Sequence, residues 1–439
     1  MLATRIPSYY KARRDALMKA NRDSVFILPA APEAVRNSDV TYPYRQESYF
    51  HYLSAFSEPE SFLVLAPTGA SGSYKMALFV RHRDPEKEMW LGERYGVEGA
   101  INVFGADEAF VVEEFDKKLP EYLKDASKVY YRLGFNEAMD RRILAALDAF
   151  RRSLGRTGKG ILPIVDPTDA IAEMRLFKTA EEVEILGKSC HITALAHKEV
   201  MKAVKPGMNE AEVEAFIEYQ FRKGGAQRVG FGTIVAGGKN AACLHYTSNN
   251  EPLRDGELIL VDAGGEYDYY SADITRTFPV GRKFTSAQAK VYDLVLKSQV
   301  AGIEMAKPGT TLAEIHKKVT EVLVDGFVSL GLLSGTRDEI ISSGAHKRFF
   351  PHNTSHWLGL DVHDVGFYLK DGSPRKLEPG MVFSVEPGFY VQPGDTQTPA
   401  EYRNIGIRIE DDVLITEKGC EVLTSEVPKK REEIEALRG

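Results

Sequence analysis

Four acidic residues stand in or beside apolar, strand-like segments in the C-terminal half of this chain. They are Asp262 in ELILVDAG, Asp273 in SADITRTFPV, Glu386 in MVFSVEPG and Glu410 in IGIRIEDDV. A carboxylate at the end of a buried strand costs free energy unless its charge is compensated. For any one of them, solvation at a surface strand end is an alternative. Four together indicate a shared source of positive charge.

A histidine-rich segment lies between these acids in the sequence. PHNTSHWLGLDVHDVG, Pro351–Gly366, contains His352, His356 and His363. Core histidines satisfied by the backbone are one explanation, and a metal or proton-transfer site is the other. Four nearby carboxylates favour the metal, and they carry more charge than one divalent ion neutralises, so a dinuclear centre with bridging carboxylates is expected. Oxygen ligands with one imidazole and no thiolate favour Mn(II), with Co(II) or Fe(II) as alternatives, over structural zinc.

The bulk composition describes a globular protein of more than one domain. The chain has 439 residues, of which 43% are hydrophobic and 27% charged, and a net charge of -7, so neither nucleic acid nor an anionic membrane is an expected partner. No apolar run approaches the ~20 residues that span a bilayer. A polar N-terminus and three scattered cysteines predict a cytoplasmic protein with reduced thiols.

Two domains are predicted, over residues 1–172 and 173–439. In the first, short apolar runs such as SVFILPA and SFLVLAP alternate with helical stretches, which predicts an α/β domain. Glycines and prolines interrupt the pattern around Gly158–Ala170. In the second, VMKAVKPGMNEAEVEAFIE and GIEMAKPGTTLAEIHKKVTEVL repeat a helix–KPG–helix theme, and strand-like runs follow each pair. This predicts two similar halves with helices packed on an antiparallel-rich sheet, an α+β layer.

The five motifs VDAGGEY, SADITRTFPV, SHWLGLDVHDVG, SVEPGFY and GIRIEDD, in this order, closely resemble the ligand motifs of the pita-bread metallopeptidases. Within that group the chain resembles the bacterial aminopeptidase P family. YPYRQESYFHYLSAFSEPE near the start and EMRLFKTAEEVE at the domain junction share the resemblance, which covers nearly the whole chain. It implies a creatinase-like N-terminal α/β domain followed by a pita-bread domain with pseudo-two-fold halves.

The resemblance also implies two Mn(II) ions and assigns their ligands. Asp273 and Glu410 would bridge the ions, Asp262 would complete one coordination shell, and His356 and Glu386 the other. A water or hydroxide between the ions would be the nucleophile, because two cations lower the pKa of bound water. Glu386 would shuttle its proton.

Further residues take outer roles in the same family pattern. His245 and His363 would hydrogen-bond the substrate carbonyl and the developing oxyanion. His352 would shape the pocket for the proline ring, Arg408 would steady the acids and reach toward substrate, and Tyr390 would lie near the substrate. For each of these five the alternative is an ordinary hydrogen-bonded core group.

The implied activity is hydrolysis of the bond between the N-terminal residue of a peptide and a following proline. A prolidase, which cleaves only Xaa-Pro dipeptides, would use the same ligands, and a non-catalytic pita-bread binding protein would have lost them. The family pattern also implies a homo-oligomer, either a dimer or a tetramer. One departure is visible: Phe231 stands where the family commonly has a tyrosine whose hydroxyl contacts a metal-ligand aspartate.

Overall fold

The chain divides into two compact units after Ile171. The structure is a computed structural model that describes residues 6–69, 73–157 and 160–439. Gly158 and Lys159, which open the predicted interdomain break, lie outside the described residues. Within the described ranges, no helix is long and apolar enough to cross a bilayer.

The N-terminal unit is built on a mixed β-sheet with helices. Its elements are α1 (Tyr9–Ala20), β1 (Ser24–Pro29), β2 (Val35–Asn37), β3 (Val40–Thr41), α2 (Ser48–Ser54), β4 (Phe62–Pro67), β5 (Tyr74–Val80), α3 (Pro85–Leu91), α4 (Gly96–Asn102), β6 (Glu108–Val111), a 3₁₀ turn (Val112–Glu114), α5 (Phe115–Tyr122), β7 (Lys128–Tyr130), α6 (Glu137–Ser153) and β8 (Ile164–Val165). Helix α7 (Thr168–Leu176) spans the division between the units.

The sheet of this unit runs in the order β6-β5-β4-β1-β7-β8. Strands β1 and β4 pair antiparallel, whereas β1 and β7 pair parallel. Both β1 and β4 are buried along their whole length, which explains why their sequences are continuously apolar. The predicted α/β character of the first domain is confirmed.

The C-terminal unit contains two helix pairs, each followed by strands. Its first half comprises α8 (Ala180–Ala203), α9 (Glu210–Gly224), β9 (Arg228–Val229), β10 (Ile234–Gly237), a 3₁₀ turn (Gly238–Ala242), β11 (Leu258–Ala263), β12 (Gly265–Tyr267), β13 (Tyr270–Ser271) and β14 (Ile274–Pro279). Its second half comprises α10 (Ser286–Met305), α11 (Leu312–Ser329), α12 (Arg337–Ser343), 3₁₀ turns (Ala345–Arg348 and Ala400–Tyr402), β15 (Leu369–Lys370), β16 (Ser373–Pro374), β17 (Val382–Val385), β18 (Gly388–Tyr390), β19 (Gly406–Arg408), β20 (Asp411–Ile415), β21 (Cys420–Val422) and α13 (Arg431–Leu437).

The two KPG segments occupy equivalent places in these halves. Gly207 links α8 to α9 with φ +91°, and Gly309 links α10 to α11 with φ +89°. Each N–H donates to a leucine carbonyl beyond its helix pair, Leu253 in the first half and Leu377 in the second. Glycine adopts this left-handed conformation without steric cost. The predicted α+β architecture with repeated helix pairs is confirmed.

Antiparallel pairing brings the acidic strand ends together. Sheet β10-β11-β14 pairs Asp262 with Thr275, so Asp273 lies immediately before β14 at the end of the sheet that also carries Asp262. The Glu410 N–H donates to the Thr275 carbonyl over 3.1 Å, and the Glu386 N–H donates to the Thr354 carbonyl over 2.9 Å. Backbone pairing therefore delivers all four carboxylates to one region.

Candidate active site

A cavity of about 730 Å³ opens where these strand ends meet. Its lining contains every metal ligand implied by the sequence, together with most of the predicted outer residues and Phe231: Phe231, His245, Asp262, Asp273, His352, His356, His363, Glu386, Arg408 and Glu410. Tyr390 lies behind this wall, where it is 1% exposed. The structure thus brings together side chains that are more than 160 positions apart in the sequence.

His356 lies at the centre of the acids. Its Nε2 atom is 3.4 Å from Asp273 Oδ2, 3.7 Å from Glu386 Oε1 and 3.9 Å from Glu410 Oε1. One ligand atom from each of Asp273, His356 and Glu410 lies within 4.8 Å of the other two. These separations match the spacing of donor atoms around a single divalent cation bound at roughly 2.0–2.2 Å.

The hydrogen bonds of His356 prepare Nε2 to bind a metal. Its Nδ1 lies 3.1 Å from the Trp357 carbonyl oxygen. Because a carbonyl only accepts, Nδ1 carries the proton and Nε2 presents a lone pair to the acids. The His356 N–H donates to Ser384 Oγ over 3.2 Å, which fixes the residue beside β17.

The acids carry uncompensated negative charge. Burial, followed by the charge of Glu410, raises the pKa of both Asp273 and Glu386 well above their ordinary values. Burial, followed by the charge of Asp262, raises the pKa of Glu410 to about 7. A bound cation would remove the cause of these shifts, because it compensates the charge that burial penalises.

Asp262 gives an independent indication of a missing partner. Arg408 Nη2 donates to its Oδ2 over 2.5 Å. Its Oδ1 is buried and has no hydrogen-bond partner in the described part of the chain. An orphaned buried carboxylate oxygen is costly, and a metal ion at this position would satisfy it. The donor set and this open valence therefore fit a divalent cation.

A chain of hydrogen bonds runs along one wall of the cavity. Burial, followed by the charge of Arg408, lowers the pKa of His352 to about 4, so its imidazole is neutral at physiological pH. Its Nδ1–H donates to the Asn353 carbonyl over 2.8 Å, and its Nε2 accepts from the Tyr390 hydroxyl over 2.9 Å. The Tyr390 oxygen in turn accepts from Arg408 Nη1 over 3.1 Å. Tyr390 therefore joins Arg408 to His352.

The two remaining histidines line the cavity beside the acids. The His363 ring packs edge-on against the His356 ring, with centroids 4.4 Å apart. Burial, followed by the charge of His356, lowers the pKa of His363. A neutral imidazole keeps one N–H that can donate to a substrate oxygen. His245 lines the same cavity.

Two residues that organise the acids were not predicted from the sequence. Thr275 Oγ1 donates to Glu410 Oε2 over 2.6 Å and accepts from Arg408 Nε over 3.1 Å. Asp412 Oδ2 accepts from the Asp273 N–H over 3.0 Å and from Cys190 Sγ over 3.4 Å. Their signals in the sequence are weak. Thr275 lies two positions after Asp273, and Asp412 lies two positions after Glu410 in a run of three acidic residues.

Matches to known families define the class of protein. The C-terminal unit matches the model of metallopeptidase family M24 over residues 184–417, and residues 10–131 match the aminopeptidase P N-terminal domain. Fold, acid cluster and family model together identify a metallopeptidase. Individual relatives narrow the class. The chain is 44% identical to the Xaa-Pro aminopeptidase of Escherichia coli K12 over 98% of this chain and 97% of that protein.

Solved structures give the same result. Pseudomonas aeruginosa aminopeptidase PepP matches with a TM-score of 0.95 and 44% identity, covering 99% of both chains. A Zn-substituted E. coli aminopeptidase P in complex with product matches equally well, with a TM-score of 0.95 and 44% identity over 99% of both chains. The chain belongs to the aminopeptidase P family of M24 metallopeptidases. The predicted family and enzyme class are confirmed, and the aminopeptidase is favoured over the prolidase and the non-catalytic protein.

Proposed function

We propose that this protein removes the N-terminal residue from peptides whose second residue is proline, with two divalent metal ions in the acid-lined cavity. The observation that carries this proposal is the convergence of the five motif residues, with His356 Nε2 within 3.9 Å of three carboxylates. The family's named relatives supply the substrate class. An oxygen-rich donor set favours Mn(II) as the ion.

The ligands divide by position. Asp273 and Glu410 would be the carboxylates shared by both ions, Asp262 would hold one ion, and His356 and Glu386 would hold the other. When bound, the ions lower the pKa of a water molecule and polarise the scissile carbonyl. Arg408 Nη2 holds Asp262 by donating to its Oδ2 over 2.5 Å. The other carboxylate oxygen, Oδ1, has no hydrogen-bond partner in the described chain and is available to bind a metal ion.

Glu386 is the proton carrier of this mechanism. Its carboxylate lines the cavity beside His356, with Oε1 3.7 Å from Nε2. It takes a proton from the attacking water and delivers it to the nitrogen of the departing proline, which must be protonated to leave as an amine. The same side chain therefore serves as both base and acid.

His363 and His245 stabilise charge on the substrate oxygen. Both line the cavity that also holds the acids. Each donates an N–H to the carbonyl oxygen, and these bonds strengthen as negative charge develops there. This assistance is important for an Xaa-Pro bond, a tertiary amide with no N–H for an enzyme to bind.

In this proposal the enzyme recognises proline by the fit of its ring into the cavity. His352 lines the cavity, and its neutral ring is held by Tyr390 and by the Asn353 carbonyl. A flat, fixed imidazole provides a surface against which a pyrrolidine ring packs. The Arg408–Tyr390–His352 chain thereby connects a metal-ligand aspartate to the proposed proline pocket.

A metal-depletion assay tests the proposal. Dialysis of the full-length enzyme against a chelator should abolish cleavage of an Arg-Pro-Pro peptide, and Mn(II) should restore it more fully than Mg(II). Cleavage of Gly-Pro-Xaa tripeptides should exceed that of the Gly-Pro dipeptide. Full activity in metal-free enzyme would refute the metal mechanism, whereas a preference for the dipeptide would refute the aminopeptidase specificity.

We further propose that the protein is a cytoplasmic homo-oligomer, either a dimer or a tetramer. Three free cysteines, Cys190, Cys243 and Cys420, agree with a reducing compartment. Helix α3 exposes Met89, Trp90 and Leu91 by 77%, 81% and 72% of their surfaces. Contiguous exposed apolar side chains mark interfaces. Light scattering after gel filtration tests the oligomeric state, and a monomer would refute it.

A further inference from the structure

A second group of buried charges lies outside the metal ligands, around Asp364. Lys178 Nζ donates to Asp364 Oδ2 over 3.1 Å, and Arg175 Nη2 donates to Oδ1. All three side chains are only 1% exposed. Arg175 also donates to Asp361 Oδ2 over 2.8 Å. Two cations therefore pair with two carboxylates in this cluster. We call Arg175, Lys178 and Asp364 the Asp364 clamp.

The Asp364 clamp fixes the loop that carries His363. Asp364 follows His363 directly, and its N–H donates to the Trp357 carbonyl over 2.8 Å. Trp357 in turn follows His356, so the loop returns to the residue beside a metal ligand. Asp364 is thus held twice, by ion pairs at its side chain and by a hydrogen bond at its backbone, directly after His363.

The imidazole of His363 depends on this support. In the part of the chain that the structure describes, its ring nitrogens make no hydrogen bond, and its ring only packs against that of His356. The position of its backbone and the contact with the His356 ring therefore set where its N–H points. A displacement of about 1 Å at a catalytic group can cost on the order of 100-fold in rate.

We propose that Arg175 and Lys178 are positioning residues for catalysis, which act through Asp364 to hold His363 against the substrate carbonyl oxygen. The inference rests on the proposed function, which gives His363 that role. It also assigns a purpose to the EMRLFK segment, whose Arg and Lys are three positions apart and reach the same carboxylate.

Gly359 provides a way to disturb the clamp without removing a charge. A Cβ atom at Gly359 would lie 2.2 Å from Asp364 Oδ2 and 3.0 Å from Lys178 Cε. Gly359 has no positive φ, so an alanine meets only this clash. Gly359→Ala should therefore push the carboxylate out of the clamp while both cations remain.

Steady-state kinetics of the metal-loaded, full-length enzyme test the clamp. Arg175→Met and Gly359→Ala should each lower kcat by roughly 10-fold or more, as loss of outer support around a metal site does, with KM and metal content little changed. Arg175→Lys should recover part of the rate. The matched control is Arg438→Met, which removes a guanidinium bonded to the Met201, Val204, Val280 and Gly281 carbonyls and should leave kcat unchanged.

The deciding measurement combines these variants with His363→Ala. If the clamp acts through His363, Arg175→Met lowers kcat no further in the His363→Ala background. Losses that multiply would overturn the proposal, because they show a general structural effect. If Arg175→Met does not fold, the Gly359→Ala and His363→Ala pair answers the same question. A His363→Ala enzyme with unchanged kcat would instead refute the catalytic role of His363, and with it the proposed positioning role of Arg175 and Lys178.

Discussion

Glu410 and Asp411 are neighbours in the sequence, and both are buried, at 2% and 0% exposure, yet their surroundings are opposite. Asp411 accepts four hydrogen bonds, and its partners are Arg276, Gln299, Thr424 and Lys429. Although burial acts to raise the pKa of Asp411, Arg276 and Lys429 hold it below its ordinary value. Glu410 faces other carboxylates, and its pKa rises to about 7.

This contrast separates two uses of buried charge. The Asp411 network is complete within the protein, so it stabilises the fold. The acids around Glu410 are incomplete, because only one arginine, Arg408, opposes them among the described residues that line the cavity. A buried charge whose partner is missing from the chain indicates a ligand. Variants of the two sites should therefore fail in different ways.

The largest effect is expected from the incomplete site. Asp273→Ala removes a proposed bridge, so both ions should be lost. Loss of several kcal/mol of charge stabilisation corresponds to a fall in kcat/KM on the order of 1,000-fold or more. Elemental analysis should find no metal, while the metal-free fold stays intact. The control Asp293→Ala removes a half-exposed aspartate that pairs with Arg431 at the surface and should keep both ions. Two ions retained in Asp273→Ala would contradict the bridging assignment.

The complete site should instead lose stability. Arg276→Met leaves Lys429 as the only cation paired with Asp411 among the described residues, and it removes the donor to four backbone carbonyls, those of Thr275, Glu410, Val427 and Pro428. Breaking a buried pair in this way costs about 3–5 kcal/mol. Urea unfolding of the metal-free protein measures it. Lys429→Met should cost less, because that side chain is 24% exposed. An Arg276→Met protein of unchanged stability would show that the contrast between the sites is not energetic.

The pH dependence of stability should also differ between the sites. The folded-state pKa of Glu410, about 7, lies above its unfolded value of about 4.3, so the folded protein binds the extra proton between these pH values. Metal-free enzyme should therefore lose stability as pH rises from about 4 to about 7, by on the order of 1 kcal/mol per pH unit. Mn(II) should abolish this slope at neutral pH.

Matched variants separate the contributions to that slope. Glu410→Gln should reduce the slope in the metal-free protein because this group no longer titrates, while Asp273 and Glu386, whose pKa values are also raised, keep part of it. Asp411 acts in the opposite direction, since its lowered pKa gives stability that is lost only as pH falls below about 4. Chemical denaturation at a series of pH values measures both. A metal-free enzyme whose stability rises from about pH 5 to pH 7 would contradict the predicted electrostatics.

Sequence patterns predicted the incomplete site better than the complete one. An acid beside an apolar strand is visible in one dimension, so Asp262, Asp273, Glu386 and Glu410 stood out. Asp411 carries the same pattern but lies one position beyond Glu410, and its partners are scattered over more than 100 positions. Which of two adjacent acids meets a cation depends on strand pairing, and the sequence does not show that.

Parts of the fold were also predictable, because some helices begin with signals that are local in the sequence. Thr–Glu capping boxes at Thr179 and Thr311 mark the starts of helices α8 and α11. A capping box is a local signal that can be read from the sequence. Tyr390 shows the limit. The family pattern predicts that it lies near the substrate, and the structure adds that its hydroxyl lies between Arg408 and His352 behind the cavity wall. A difference of one layer in depth is set by packing, which local sequence does not encode.

The smallest effect concerns the one oxygen that distinguishes Asp262 from the fully bonded Asp411. Asp262 Oδ1 has no partner among the described residues, and Phe231 lines the same cavity without a polar group to offer. Phe231→Tyr adds a hydroxyl at the position where the family commonly has one. We expect metal affinity to rise by roughly 10-fold, the low end of such outer-ligand effects, with kcat changed less. Isothermal titration calorimetry with the metal measures this affinity, and Phe231→Leu is the control for packing. Equal affinities in all three proteins would show that the orphaned oxygen is satisfied by the ions alone.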